Sequence, residues 1–332
     1  MRGSGRLILL LLTVLVLLQM GRMAVDQAYD GPGPLPASAD IYIPPGSTRQ
    51  VAALLARKKV IRTPIIFELA AFLTSRQGPI RSGEFRFIDH GSLRSVLRTL
   101  RFAPEVEHKA TIPEGLTSVQ IADIINALPD ATGQVTPPDE GSALPQTYDY
   151  TYGTRRSTIL ARMRTAMRAA LAKAWASRAP GLPLQTPRQA LTLASIVQLE
   201  TPLPAELPKI AGVYENRLTK GMMLQADPTV IYAVTHGRAT ALTHRIDDHD
   251  LSTASPYNTY RHHGLPPGPI CAPGLAAIRA VLHPADTDAL FFVATGKGGH
   301  VFARTFAEQR ANIARYLAQI SKKKGGVAPI AR

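Results

Sequence analysis

The sequence predicts an α+β fold whose second half is mostly helical, on three observations. First, a strand, a Pro/Gly turn, a Ser/Thr cap and an amphipathic helix occur twice. They run from Ile43-Pro44-Pro45-Gly46 into Thr48–Ala52, and from Ile112-Pro113-Glu114-Gly115 into Thr117–Ala122. Second, long apolar-periodic runs with cap signals fill residues 157–218. Third, Leu290–Val293 and His300–Phe302 flank Gly296-Lys297-Gly298-Gly299, the pattern of a β-hairpin.

In chain order, Arg2 and Arg6 precede an apolar run, Leu7 to Leu18, and no further charge comes before Arg22. No small-x-small cleavage site follows in Gln19–Met23, which favours an uncleaved signal anchor over a cleaved signal peptide. The basic residues ahead of the run place the N-terminus in the cytoplasm and the rest of the chain outside. Residues 26–40, rich in Pro, Gly, Ala and Asp, read as a linker. Residues 41–108 read as a small β-α-α-β subdomain. Its second helix lies near Pro64–Ser75, its closing strand is Gly83–Ile88 with Phe85 and Phe87 alternating, and a further helix opens at Gly91-Ser92. Residues 109–320 form the larger domain. In it Pro129–Pro145 reads as a surface loop, followed by helices over 157–178, from Thr186-Pro187 to Glu200, and near 205–218. A short helix opens at Asp227-Pro228, a long loop covers 236–269, and helices follow Pro273-Gly274 and the hairpin. Residues 321–332 are a basic tail.

Composition limits the function. The 332 residues with 45% hydrophobic content suffice for about two cored domains. One cysteine, Cys271, excludes an internal disulfide and any Cys-rich zinc module. The net charge of +14 points to an anionic partner, and export past a membrane turns that away from nucleic acid toward the cell envelope. From Arg155 to Arg188 there are eight basic residues and no acidic one: a solvated face, or a track for an acidic polymer or lipid headgroups.

Glu200 is the most informative single residue. It ends an apolar helix, where burial and the negative end of the helix dipole both raise a carboxyl pKa, as a general acid near neutral pH requires; the other reading is an ordinary exposed glutamate at a helix C-terminus. Asp227 reads as a helix N-cap. Ser255–Tyr260 and Gly264–Ile270 offer polar groups on a stiffened loop, suited to sugar hydroxyls or simply to turns. The run His244–Asp250 matches no zinc template and reads as a solvated loop; no metal and no cofactor is expected. Gly296–His300 lacks the spacing of a phosphate loop.

These motifs, in this order, resemble the YceG-like (MltG-type) endolytic murein transglycosylases. The matching segments are Ile112–Gly115, Leu193–Val197 with Glu200-Thr201, Asn216-Arg217-Leu218, Leu224-Gln225 with Asp227–Tyr232, Ser255–Tyr260, Gly264–Ile270 and Gly298-Gly299-His300. The resemblance implies a single-pass inner-membrane protein with a LysM-like subdomain and a catalytic domain in the periplasm. Such enzymes cut nascent peptidoglycan strands between N-acetylmuramic acid and N-acetylglucosamine, leave 1,6-anhydro ends, and are thought to act beside the peptidoglycan synthases. It puts the catalytic acid at Glu200 and, by motif match, substrate contacts at Gln225, Asp227, Asn258, Thr259, Tyr260 and His300. Gln198, Ala272 and Gln309-Arg310 depart from the family pattern; Ala272 stands where a capping asparagine is usual. Two other readings stay open: a non-enzymatic peptidoglycan-binding scaffold near the synthases, and a hydrolase in which Asp227 activates water.

Overall fold

The computed structural model describes residues 3–323, with side chains over 11–320; most of the basic tail read at 321–332 lies outside the described residues. The chain divides into two compact units, residues 1–108 with 149–153, and residues 109–148 with 154–332.

Unit 1 opens with α1 (Gly3–Asp30), a helix long and apolar enough, over Leu11–Asp30, to cross a membrane. It continues five residues into the stretch read as a linker, because nothing from Asp26 to Asp30 breaks a helix and its last turn is held. Arg94 grips Asp30 with two hydrogen bonds, 2.5 and 2.8 Å, and its guanidinium lies 4.7 Å from the Tyr29 ring centroid. Then come β1 (Ala39–Ile43), α2 (Thr48–Arg57), α3 (Pro64–Leu73), β2 (Gly83–Phe87) and α4 (Leu93–Phe102). β1 and β2 pair antiparallel, Ile41 opposite Phe85 and Ala39 opposite Phe87. The β-α-α-β order is thus present. Ser47 and Gln50 close a capping box on α2, and Ser92 caps α4. Ile43, Leu55, Phe67, Phe85, Leu97 and Leu100 form a core from every element after α1.

β3 (His108–Thr111) and β4 (Thr147–Tyr150) form a two-stranded sheet, and the division between the units falls inside both strands. Unit 2 continues with α5 (Ser118–Asn126), α6 (Arg156–Ala176), α7 (Pro187–Glu200), α8 (Leu207–Thr219), α9 (Asp227–Thr235), α10 (Asp248–Leu251) and α11 (Leu275–Leu282). The antiparallel hairpin β5 (Phe291–Ala294) and β6 (His300–Ala303) and then α12 (Phe306–Lys323) complete it. Its core is built where α7, α8 and α11 meet: Leu193, Ala194, Val197, Ile210, Tyr214 and Ile278 are all buried. α7 is buried on every side from Ala190 to Val197 and is the central element. Three expectations are corrected. The 129–145 loop is not purely surface, since Ala143 and Leu144 are buried and Glu140 caps α5 by accepting from Ser118 N at 2.9 Å. The His244–Asp250 run is not all loop: Asp247 and Asp250 close a capping box that makes α10. The N-cap of α11 is Gly274, so Ala272 occupies no capping position.

Candidate active site

α7 delivers Glu200 to the end of the unit 2 core. Thr186 caps the helix start, Pro187 occupies its first position, and the backbone turns extended at Thr201. Glu200 keeps partial solvent access, while its carboxyl is largely enclosed by protein. Burial raises its pKa to about 7. The Tyr214 hydroxyl opposes this by donating to Glu200 Oε1 at 2.5 Å, the charge of Asp227 adds to it, and Arg217 weakly opposes it. A carboxyl with this pKa is half protonated at neutrality, the state a general acid needs.

Tyr214 and Arg217 lie one turn apart on α8, on the side that packs against α7 and the hairpin. Tyr214 is buried edge-on to Phe292, ring centroids 5.8 Å apart. Arg217 is buried without a carboxylate partner; it donates to the carbonyls of Leu290 at 2.6 Å and Leu224 at 2.7 Å. A guanidinium held only by neutral carbonyls leaves an uncompensated positive charge, felt by Glu200, Tyr214 and Tyr260.

Asp227 is corrected from its expected role as a cap. The N-cap of α9 is Ala226, whose N–H is already taken by Thr259 Oγ1 at 3.0 Å, and Asp227 is the first helical residue. Its exposed carboxylate accepts instead from the Tyr260 hydroxyl at 2.6 Å. Gln225, the exposed residue beside it, has φ +48°, a left-handed conformation that costs energy for a side-chain-bearing residue. Asn258 and Thr259 face inward. Asn258 is fully buried; its amide donates to the Leu251 and Thr253 carbonyls, both at 2.9 Å, and accepts from Tyr260 N at 3.0 Å. The Thr259 hydroxyl is shared with Thr229 Oγ1 at 2.8 Å. Both residues brace the loop and have no polar atom left for a sugar. Gln225, Asp227 and, in part, Tyr260 keep solvent access, and Asp227 and Tyr260 lie near enough to the acid to couple to it electrostatically.

A second cluster adjoins Glu200 through Thr201. Glu206 accepts the backbone N–H of His300 at 2.7 Å with Oε1. With Oε2 it accepts His300 Nδ1 at 2.7 Å and the Thr201 hydroxyl at 3.0 Å. Burial works against the Glu206 charge, yet the His300 and Thr201 hydrogen bonds hold its pKa below the ordinary value. A carboxylate can only accept, so His300 Nδ1 carries the proton and Nε2 faces away from Glu206. His300 also meets Phe292 edge-on, ring centroids 5.4 Å apart. Gly299 has φ +80°, and a Cβ there would lie 2.7 Å from Glu206 Oε1, which explains the Gly298-Gly299-His300 sequence.

The remaining motifs build the walls. Gly115 N donates to Ala272 O at 2.9 Å, and Ala272 N to Leu116 O at 2.8 Å. Gln198 Oε1 accepts from Gly274 N at 2.9 Å, and a Cβ on Gly274 would collide with the Glu114 carboxylate. Ser195 Oγ fastens the 264–271 loop to α7 by accepting from Ile270 N at 3.0 Å. Gln309 donates to Phe292 O at 2.9 Å, so the last helix supports the hairpin. His244, Asp247 and Asp250 bring three ligand-type atoms within 4.8 Å of one another, but they already serve the α10 cap and a 2.9 Å His244–Asp250 contact. Tyr214, Arg217 and Glu206 are the site residues that sequence reasoning missed; Arg217 had a signal, standing inside the Asn-Arg-Leu segment.

The chain is similar to known proteins. A protein of Bacillus subtilis (strain 168) named endolytic murein transglycosylase is 41% identical over 133 residues, 40% of this chain and 36% of that protein. A protein of the same name from Streptococcus pneumoniae (strain D39) is 28% identical over 230 residues, 68% of this chain and 41% of that protein. The matches thus span about two fifths or less of these relatives. The crystal structure of a YceG-like protein from Listeria monocytogenes superposes with a TM-score of 0.51 at 28% identity, covering 83% of this chain and 99% of that one. Residues 41–315 match the model of the YceG-like family, and the chain therefore belongs to that family.

Proposed function

We propose that this protein is an endolytic murein transglycosylase that cleaves nascent glycan between N-acetylmuramic acid and N-acetylglucosamine, ending strand elongation. The observation that carries the reading is a single acid poised near neutrality. Glu200 has its pKa at about 7, and the nearby carboxylate, Asp227, is engaged by Tyr260. A hydrolase with paired carboxylates needs the second free to hold a water or attack the sugar.

Protonated Glu200 gives its proton to the glycosidic oxygen as the bond to muramic C1 breaks. The muramic C6 hydroxyl then forms its bond to C1 and returns its proton to the Glu200 carboxylate, closing the 1,6-anhydro ring without consuming water. Arg217 and the Tyr214 hydroxyl stabilise the carboxylate between these steps. Gln225, Asp227 and Tyr260, with His300 held by Glu206, are the proposed sugar contacts; no cofactor or metal takes part.

In this reading α1 anchors the chain in the inner membrane with both units in the periplasm. The β-α-α-β subdomain is LysM-like and holds glycan, and peptidoglycan synthases are the neighbouring partners. The test is mass spectrometry of uncrosslinked glycan strands digested by the full chain and by Glu200→Gln. Anhydro-muramic ends from the first, with a loss of about 100-fold or more in the second, are expected of a general acid. Reducing ends would overturn the transglycosylase chemistry, and a fully active Glu200→Gln would overturn the acid assignment.

A further inference from the structure

α3 is apolar on two opposite sides. Phe67, Ala70 and Ala71 enter the unit 1 core, while Ile65 and Phe72 (each 75% exposed), Leu73 (71%), Leu69 (56%) and Ile66 (39%) face outward. At 3.6 residues per turn these five side chains fall within an arc of about 120°. A contiguous apolar face of this kind on a soluble surface marks a contact with something apolar.

What covers it is indicated by its neighbours. Ile66, Leu69 and Leu73 share an apolar groove with Ala24, Val25, Ala28 and Tyr29 of α1. Counted from Leu7, about 20 helical residues are needed to cross a hydrocarbon core. That count ends at Asp26, so the groove lies where α1 would leave the hydrocarbon. The flanks of α3 are basic: residues 57–76 hold the exposed Arg57, Lys58, Lys59, Arg62 and Arg76 against one acid, Glu68. Cations ringing an apolar helix face suit anionic headgroups above acyl chains. The same ring would oppose itself across a symmetric contact between two copies.

We propose that α3 is a membrane-interface helix, its outer face seated in the headgroup–acyl boundary of the bilayer that α1 crosses. This rests on the reading of α1 as an anchor. The bilayer then contacts unit 1 at two places, the anchor and α3, which fixes the orientation of the subdomain on the membrane.

The test uses the full chain in nanodiscs of phosphatidylethanolamine and phosphatidylglycerol, spin-labelled in turn at Phe72→Cys, Leu15→Cys and Asp123→Cys. All three positions are exposed, and native Cys271 is buried from the label. Accessibility to oxygen against a water-soluble nickel chelate reads depth. The expected result is a lipid-like ratio at Leu15, a ratio at Phe72 several-fold above that at Asp123, and a water-like ratio at Asp123. A lipid-like Leu15 with a water-like Phe72 overturns the α3 assignment and leaves the anchor standing. A Phe72 shielded from both reagents means that protein covers the face, which also overturns it. A water-like Leu15 removes the anchor reading, and this inference falls with it.

Discussion

Replacing Tyr214 with Phe isolates one hydrogen bond at the acid. The hydroxyl donates to Glu200 Oε1 at 2.5 Å, and the rest of the ring packs against Phe292, so the variant keeps the packing and removes the donor. That bond favours the charged form and works against burial, which sets the pKa near 7. A hydrogen bond to a charged group contributes about 1.5–3 kcal/mol, or roughly 1–2 pKa units at ~1.4 kcal/mol each. The acid is active when protonated, so activity in the native chain falls as pH rises through about 7. In Tyr214→Phe the fall moves to higher pH. With a one-unit shift the protonated fraction at pH 8 goes from about one tenth to one half, so activity relative to the acidic plateau rises about five-fold there. The assay is kcat/KM for anhydro-product formation from pH 5 to 9, with thermal unfolding to confirm the fold. An alkaline limb that stays in place, or moves to lower pH, would refute the claim that Tyr214 tunes Glu200.

Asp227→Asn tests the opposite sign: removing the negative charge that raises the Glu200 pKa should move the same limb to lower pH, by less than Tyr214→Phe moves it up, while Asn Oδ1 can still accept from Tyr260. Glu215 predicts a pH-dependent stability of unit 2. It is buried, its Oε1 has no hydrogen-bond partner, and burial pushes its pKa up to about 8. The folded state thus binds a proton that the unfolded state has released, so the stabilisation is complete below about pH 4.5 and lost as pH rises to about 8, a change of a few kcal/mol. Urea unfolding at pH 5 and pH 8 measures it, and Glu215→Gln should flatten the difference; an equal difference in the variant would assign the effect elsewhere.

Local chemistry made most of the elements legible. Thr186-Pro187, the Ser/Thr caps expected ahead of α2 and α5 and the alternation of Phe85 and Phe87 are short-range signals, and the structure uses each, with Ser47 and Thr117 as the caps. Glu200 was legible because it stands at the end of an apolar helix. Its partners were not: Tyr214 reaches it only because α8 packs on α7, and Glu206 meets His300 across 94 residues. The burial of Asn258 and Thr259 was hidden for a related reason. A polar residue in a Pro/Gly-rich loop suggests an outward-facing ligand group, but buried loop backbone also needs partners, and here that need consumed both side chains. Asp227 looked like a cap because Asp-Pro so often opens a helix, but it is the first helical residue, and its carboxylate is engaged by Tyr260, 33 residues away.

The unbroken run of α1 through Asp30, clasped by Arg94, has a mechanical consequence. A disordered tether would let the first unit tumble freely above its anchor. A helix about 42 Å long, at 1.5 Å per residue, instead acts as a stiff shaft that transmits its tilt and rotation to whatever is fixed to its end. Were that shaft to cross a bilayer, as proposed above, unit 1 would diffuse in two dimensions with a preferred face toward the lipid. If glycan is the substrate, as proposed above, such a shaft would confine encounters with it to a thin layer at a set height, which a protein on a slack leash would sample only occasionally.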